Sequence, residues 1–328
     1  MGISSIGRRG ALALGAACLV ARHGRAATAI DRTARIVIGL PPGAGTDVLA
    51  RLLAEQLRGR YAPQVVVENR PGASVRLAVE HVKASPPDGA TILVTPLPVM
   101  TLTPVAFPRT TRYDPVADFA PVATLGTVRF CWMVRPDHPA QTLPSFLAWA
   151  KAKGGASFAP PVLGAPQHMI GLAVSRLSGA PLTAVSYRGS GPAMQDLLAG
   201  QIDAFVGITG DGVPAARAGQ VRLLAVSGAS RLASLPDMPT LAEAGFPGLP
   251  EDEAAGAAFL PAGASPALVE SLHGAVAAAV EGPALRERLA AAEIAPLVLP
   301  PAALAARIRA EREGYAEMVR ANGFKPEE

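Results

Sequence analysis

The chain of 328 residues is too long for one ordinary hydrophobic core and fits one or two domains. Half of it is apolar, only 5% is aromatic, and 33 glycines with 32 prolines mark a turn-rich globular chain rather than a disordered one; no run of eighteen apolar residues reaches the length of a membrane span. Of its 30 basic residues, Arg8, Arg9, Arg22 and Arg25 lie in the first 29 positions, where no acid occurs; the remainder balances 26 basic against 26 acidic residues, which removes compositional support for nucleic-acid binding.

The first segment reads as a leader rather than as fold. MGISSIGRRG carries Arg8 and Arg9, and ALALGAACLVA (11–21) is an apolar core of signal-peptide length. Ala27-Thr28-Ala29 supplies a small-x-small cleavage site, so residues 1–29 are read as a signal peptide and the mature chain is expected to begin near Ile30, in the periplasm. The arginine pair resembles a twin-arginine signal, yet Gly10 and Ala11 follow it, and Sec export fits at least as well. Cys18 sits inside the apolar core, with Gly15 where a lipoprotein signal prefers a larger aliphatic. Only Cys131 then remains after cleavage. In the surroundings VRFCWMV it is expected to be a buried, inert thiol, with no intrachain disulfide possible.

The body alternates strand-like and helix-like segments. RIVIGL (35–40) is a β-rich run ending in a glycine turn, and in DVLARLLAEQL the residues Val48, Leu49, Leu52, Leu53 and Leu57 recur at helical spacing. QVVVEN (64–69) is a second strand, SVRLAVEHVKAS (74–85) a helix stopped by Pro86-Pro87 and Asp88-Gly89, and ATILVT (90–95) a third strand. This alternation implies a parallel sheet covered by helices. A second series follows: strand VRFCWMVRP (128–136), helices TLPSFLAWAKAKGG (142–155) and HMIGLAVSRLSG (168–179), strand LTAVSY (182–187), helix PAMQDLLAG (192–200), and strands QIDAFVG (201–207) and VRLLAVS (221–227). The C-terminal part reads as mainly helical: ALVESLHGAVAAAV, ALRERLAAA and AALAARIRAEREGYAEMVRA. Two α/β series and a helical tail suggest two lobes.

GLPPGAGTDVLARLLAEQL (39–57) is an anion site in outline. A P-loop needs Gly-Lys, and no such pair occurs in the chain. A dinucleotide fingerprint finds Gly43, Gly45 and, near the acidic position, Glu68, but Val48 stands where the third glycine allows close helix packing. A carboxylate fits the parts better. Gly43 and Gly45 free the backbone for converging N–H groups, Thr46 can cap the helix, and the helix start favours an anion. Asp47 either complements the helix dipole or orients the loop amides; its charge argues against direct carboxylate contact. The strand LTAVSY leads through Arg188-Gly189-Ser190-Gly191-Pro192 into the next helix in the same way. There Ser190 can cap, Pro192 suits the first turn, and the N–H groups of Gly189 and Ser190 are expected to point outward. Arg188 either adds charge to the site or is a solvated surface arginine. No H-E-x-x-H, C-x-x-C or G-x-S-x-G occurs, and His23, His81, His138, His168 and His273 lack metal-ligand spacing, so neither a metal nor a cofactor is expected.

PPGAGTDVLARLLAEQL, VVVENRPGAS, PPDGATIL and YDPVADFAPVA, then YRGSGPAMQDLLAGQIDAF, VRLLAVSGASRLASLPDMPTLAEAGFPG and FLPAGASPALVESL, together resemble the Bug-type extracytoplasmic solute-binding proteins of tripartite tricarboxylate transporters, in order over essentially the whole mature chain. The resemblance implies an α/β, two-lobed periplasmic-binding-protein-like type II fold, each lobe a mostly parallel sheet flanked by helices. It implies a small organic carboxylate held between two loops, often through bridging waters, and delivered to membrane transporter subunits. Carried over, the ligand-binding residues are Gly43, Ala44, Gly45, Thr46, Asp47, Thr95, Gly164, Ala165, His168, Arg188, Gly189, Ser190, Gly191 and Pro192. His168, alone more simply a packed helix-start histidine, becomes a pocket-edge residue because LGAPQHMIG matches the family pattern at Gly164, His168 and Gly171, with Ala165 at the hydroxyl position.

Family layout places one lobe at residues 30–128 plus 231–328 and the other at 129–230, with crossings near Thr127–Phe130 and Ser227–Ser230. A monomer without catalytic residues is expected. The departures lie at Ala44 in place of a third glycine, at Val75-Arg76, at Val99-Met100 and at Gly207-Ile208. They strip polar groups from the pocket and point to a ligand less polar than citrate, an aromatic or branched monocarboxylate. An exported hydrolase, a dinucleotide-dependent enzyme, and a binding protein that serves a sensor are the alternatives.

Overall fold

The computed structural model describes residues 29–43 and 45–325; the leader reading for residues 1–28 and the position of Ala44 fall outside them. In chain order the elements are β1 (Ala34–Ile38), α1 (Gly45–Leu57), β2 (Val65–Asn69), α2 (Arg76–Lys83), β3 (Thr91–Thr95), the single turns α3 (Pro98–Thr101) and α4 (Thr103–Ala106), and β4 (Phe119–Val128). Then come β5 (Phe130–Val134), α5 (Leu143–Lys153), β6 (Ala156–Ala159), α6 (Pro166–Ser178), β7 (Leu182–Ala184), α7 (Ser190–Leu198), β8 (Ala204–Ile208), α8 (Thr209–Arg217) and β9 (Arg222–Val226). β10 (Glu253–Pro261), α9 (Pro266–Glu281), α10 (Pro283–Ala291) and α11 (Pro301–Ala321) complete the chain. No helix among the described residues is long and apolar enough to cross a membrane.

Two five-stranded sheets result, ordered β2-β1-β3-β10-β4 and β7-β6-β8-β5-β9. Both are mixed: four strands of each run in one direction and the fifth runs against them. β1 pairs in parallel with β2 and β3, while β10 runs antiparallel to β3 and β4. β6 pairs in parallel with β7 and β8, while β5 runs antiparallel to β8 and β9. The reason is topological. β5 and β10 are the strands formed just after the chain crosses from one sheet to the other. Each enters its new sheet from the far end and inserts against the direction of its neighbours.

The strands that read as continuous apolar runs are covered on both faces. Ile36 and Ile38 of β1 face Leu49, Leu53, Leu272 and Val276, while Val37 between them faces Val79, Leu93, Phe259 and Leu304. In the second sheet Trp132 stacks on Phe158 at 6.1 Å and meets Phe146 at 5.8 Å, while Met133 turns to the opposite face with Phe205 and Leu223. Burying such a side chain contributes about 1.5–3 kcal/mol each. Cys131 belongs to the same core. Burial pushes its thiol well above the usual range, so it is inert.

The first crossing is the single residue Arg129, between β4 and β5. The second lies later than Ser227–Ser230. Leu241 donates its N–H to Val226 O at 2.7 Å, and Leu241 and Phe246 sit in the core around Trp132, so the chain remains with the second sheet until about Leu249. Ser227 ties the two crossings together. Its Oγ accepts the N–H of Phe130 at 2.8 Å and donates to the carbonyl of Glu251.

Candidate functional site

The glycine turn after β1 is held by a carboxylate. Asp47, 2% exposed, accepts the Gly43 N–H at 2.9 Å, the Arg51 Nε–H at 2.9 Å and the Asn69 amide at 2.9 Å. Asn69 also donates to Leu40 O at 3.0 Å. The Arg51 hydrogen bond comes first among the causes that hold the Asp47 carboxyl down at about 2, followed by those from Gly43 and Asn69 against the opposing effect of burial. Asp47 therefore orients the loop rather than only complementing the helix dipole. The helix begins at Gly45, which places Thr46 inside its first turn and not at the cap. Gly43 needs its glycine, with φ at +85°. Its N–H is engaged, so what the loop offers an anion is the first-turn amides of α1, which have no helical partner.

The second loop has the same plan with two changes from expectation. Gly189, at φ +113°, donates its N–H to Pro161 O at 2.8 Å, so that group is not directed outward. Gly189, not Ser190, holds the N-cap position; the Ser190 hydroxyl instead donates to Asp211 Oδ2 at 2.8 Å. Burial pushes the Asp211 carboxyl up, with the Ser190 bond opposing it. Each loop thus rests on an aspartate, Asp47 or Asp211. Gly191 and Pro192 are exposed in the first turn of α7, and Arg188 is exposed without an ion pair among the described residues.

Gly164 and Ala165 form the third element. Gly164 has φ +80°, and a Cβ there would stand 2.5 Å from the Phe107 ring, so Phe107 of the first lobe seats directly on this turn of the second. His168 stands behind the turn rather than at the pocket edge. Its Nδ1 accepts the Gly164 N–H at 3.1 Å, and its ring packs against Phe324 at 5.3 Å and Phe158 at 6.2 Å. Burial lowers its pKa to about 4. Below about pH 6.5 the unfolded chain takes up a proton that the folded chain refuses until about pH 4, so stability is full above that window and falls across it by up to about 3 kcal/mol. In urea titrations, the stability gap between wild type and His168→Asn should narrow as pH is lowered from 7 to 4; a constant gap would contradict the assignment. Gly171 serves packing, since a Cβ there would lie 2.1 Å from Phe158. Thr95 is fully buried at the end of β3, and its Oγ1 has no hydrogen-bond partner among the described residues.

A cavity of about 350 Å³ lies between the lobes. Leu40, Val75, Arg76, Pro96 and Val99 line it from one side and Pro161 to Gln167 from the other, with Glu253 contributed by the first residue of β10. Of the described residues expected from sequence, only Gly164 and Ala165 line it. The two glycine loops adjoin it through Leu40, which Asn69 ties to Asp47, and through Pro161, which holds Gly189. Ser190, Gly191 and Asp211 border a second hollow of about 380 Å³. Among the departures, Val75, Arg76 and Val99 face the cavity, whereas Met100 is core and Gly207 packs against Met133 and Phe205. The segment that presents Arg76 is strained: Ala73, Ser74 and Val75 all have positive φ, at 45°, 52° and 76°. Val75 covers Gly39, where a Cβ would approach its Cγ1 to 2.4 Å. Glu253 has only a faint sequence signal, as the last of three consecutive acids before the apolar run AAGAAFLP.

Residues 49–320 match the family described as tripartite tricarboxylate transporter family receptor. Protein BugT of Bordetella pertussis is 29% identical over 299 residues, 90% of each chain. Among solved structures, the periplasmic binding protein BugD superposes with a TM-score of 0.76 at 28% identity, covering 90% of this chain and 99% of its own. An R. palustris protein solved with adipate gives 0.80 at 28% identity, covering 90% and 98%.

Proposed function

The chain belongs to the tripartite tricarboxylate transporter receptor family, and from that premise we propose that it is an exported receptor that takes up a small organic acid between its lobes and delivers it to membrane transporter subunits. The ligand carboxylate is bound by the first-turn amides of α1 and α7, at Gly45–Asp47 and Ser190–Gly191. The observation that carries this reading is the paired construction: two strand–glycine–helix turns, each resting on an aspartate, both adjoining one cavity between the lobes. We assign one lobe to residues 30–128 plus 253–325 and the other to 130–249.

Leu40, Val75, Val99, Leu102, Phe107 and Val162 give the cavity much of its wall and favour a monocarboxylate with an apolar body over citrate. No chemical step is assigned, because among the described residues the Ser190 hydroxyl is hydrogen-bonded to Asp211 and to no histidine. Binding must favour the closed arrangement, since equal affinity for open and closed states shifts neither. Calorimetric titration of the mature protein should give binding of branched or aromatic monocarboxylates that is tighter than citrate. Tight citrate binding with no apolar acid bound would sink the reading.

A further inference from the structure

Two charged residues line the cavity between the lobes, Arg76 and Glu253. Arg76 is already engaged: its guanidinium lies 5.8 Å from the centroid of the Phe107 ring and donates to Thr110 Oγ1 at 2.8 Å. Glu253 makes no hydrogen bond or ion pair through its carboxyl among the described residues. Arg307, the cation whose charge acts on the Glu253 carboxyl, is spent elsewhere. It pairs with Asp252 at 2.6 Å and with Glu311 at 2.6 Å, and Glu311 also accepts from Thr101 Oγ1 at 3.0 Å. Two carboxylates against one guanidinium leave the cluster one charge negative before Glu253 ionises, and Asp211 on α8 adds a further carboxylate to its field. Burial first, then Glu311 and Asp252, push the Glu253 carboxyl up to about 8. A second carboxylate of a ligand arriving here meets repulsion. A cation arriving from the cavity supplies the charge that the cluster lacks.

We propose that Glu253 receives a protonated nitrogen of the ligand, so that the cleft selects an amine-bearing monocarboxylate with an apolar body over dicarboxylates and tricarboxylates. The proposal rests on the carboxylate reading above and adds the second polar contact. The ammonium group stays protonated, the Glu253 proton leaves to solvent, and the ion pair forms in an apolar cavity with Arg76 left on Phe107.

Two matched series test it by calorimetry at pH 7: 6-aminohexanoate against hexanoate and adipate, and L-leucine against 4-methylpentanoate. In at least one series the amine should bind about tenfold or more tighter than its amine-free and dicarboxylate counterparts. Its affinity should rise by about tenfold per pH unit between pH 6 and 7.5, as one proton is released per ligand bound; the amine-free acid should show no such slope. In Glu253→Gln, whose side chain cannot ionise to meet the ammonium group, the amine preference should fall to about onefold. The proposal is overturned if hexanoate, adipate or 4-methylpentanoate equals the amine in both series, or if Glu253→Gln keeps the preference. Tight binding of the amine-free acids leaves the carboxylate reading standing and removes only this proposal. Failure of all five acids to bind overturns this proposal too, and failure of the aromatic acids and citrate with them sinks the carboxylate reading.

Discussion

Replacing Gly45 with valine is expected to weaken ligand binding by about 100-fold or more, close to 2.7 kcal/mol, while leaving the fold intact. A Cβ at Gly45 has nothing within 4 Å, and the residue does not occupy the left-handed region, so the folded protein tolerates the side chain. Valine in a helix is at least as favourable as glycine. The added isopropyl group, stiff at χ1, stands at the start of α1 beside the amides to which the proposed reading assigns the ligand carboxylate. Gly45 is the cleaner of two obvious probes, because Gly189 also has open space around it but its φ of +113° would strain any side chain. Gly274→Val in the exposed middle of α9, again with nothing within 4 Å of the new Cβ, is the control and should bind as wild type does. Thermal melts and calorimetric titration of both variants read the two effects separately. Undiminished affinity in Gly45→Val would move the carboxylate site elsewhere.

Gly171→Val should do the reverse and strike the fold. Gly171 lies in α6 against the tip of the Phe158 ring, and a new Cβ would stand 2.1, 2.4 and 2.8 Å from three of its carbons. The ring has nowhere to go: Phe158 is fully buried, with Trp132 stacked at 6.1 Å and His168 at 6.2 Å. Overpacking a core of this kind costs about 3 kcal/mol, which for a chain this size lowers Tm by roughly 5 °C. Scanning calorimetry checks it, and a wild-type Tm would show that the helix backs away from the sheet at little cost. The same amino acid, changed the same way, is thus expected to damage binding at one position and folding at another. The difference lies only in what occupies the space beyond the α-carbon.

Much of the fold was legible because β1, β2 and β3 are dense in valine and isoleucine and alternate with amphipathic helices. The strands 119–128, 156–159 and 253–261 were not. FAPVATLGTV, ASFA and EAAGAAFLP are rich in alanine, glycine and proline, which carry little intrinsic preference for strand. Two of these, β4 and β10, form against each other from opposite sides of the second lobe, and their pairing depends on the way the chain returns. Gly126 and Gly256 at matched positions show what small residues do there: a Cβ on Gly126 would lie 2.8 Å from the Ala295 carbonyl oxygen, and one on Gly256 3.0 Å from Leu125.

Within the site, the two glycine turns could be read because a strand, a glycine and a helix start are contiguous in sequence. Which of their N–H groups remain free could not, since Pro161 takes the Gly189 N–H from outside the pattern and only the folded turn decides that Asp47 takes that of Gly43. Glu253 escaped notice for a similar reason. Its lack of a partner is a property of where Arg307 points, some fifty positions away, and no local signal reports it.

Both strands that join the lobes are fastened to one hydroxyl, that of Ser227. Glu251 lies two residues before Glu253 of the cavity wall, so the joint between the lobes and the wall of the cleft share one fastening.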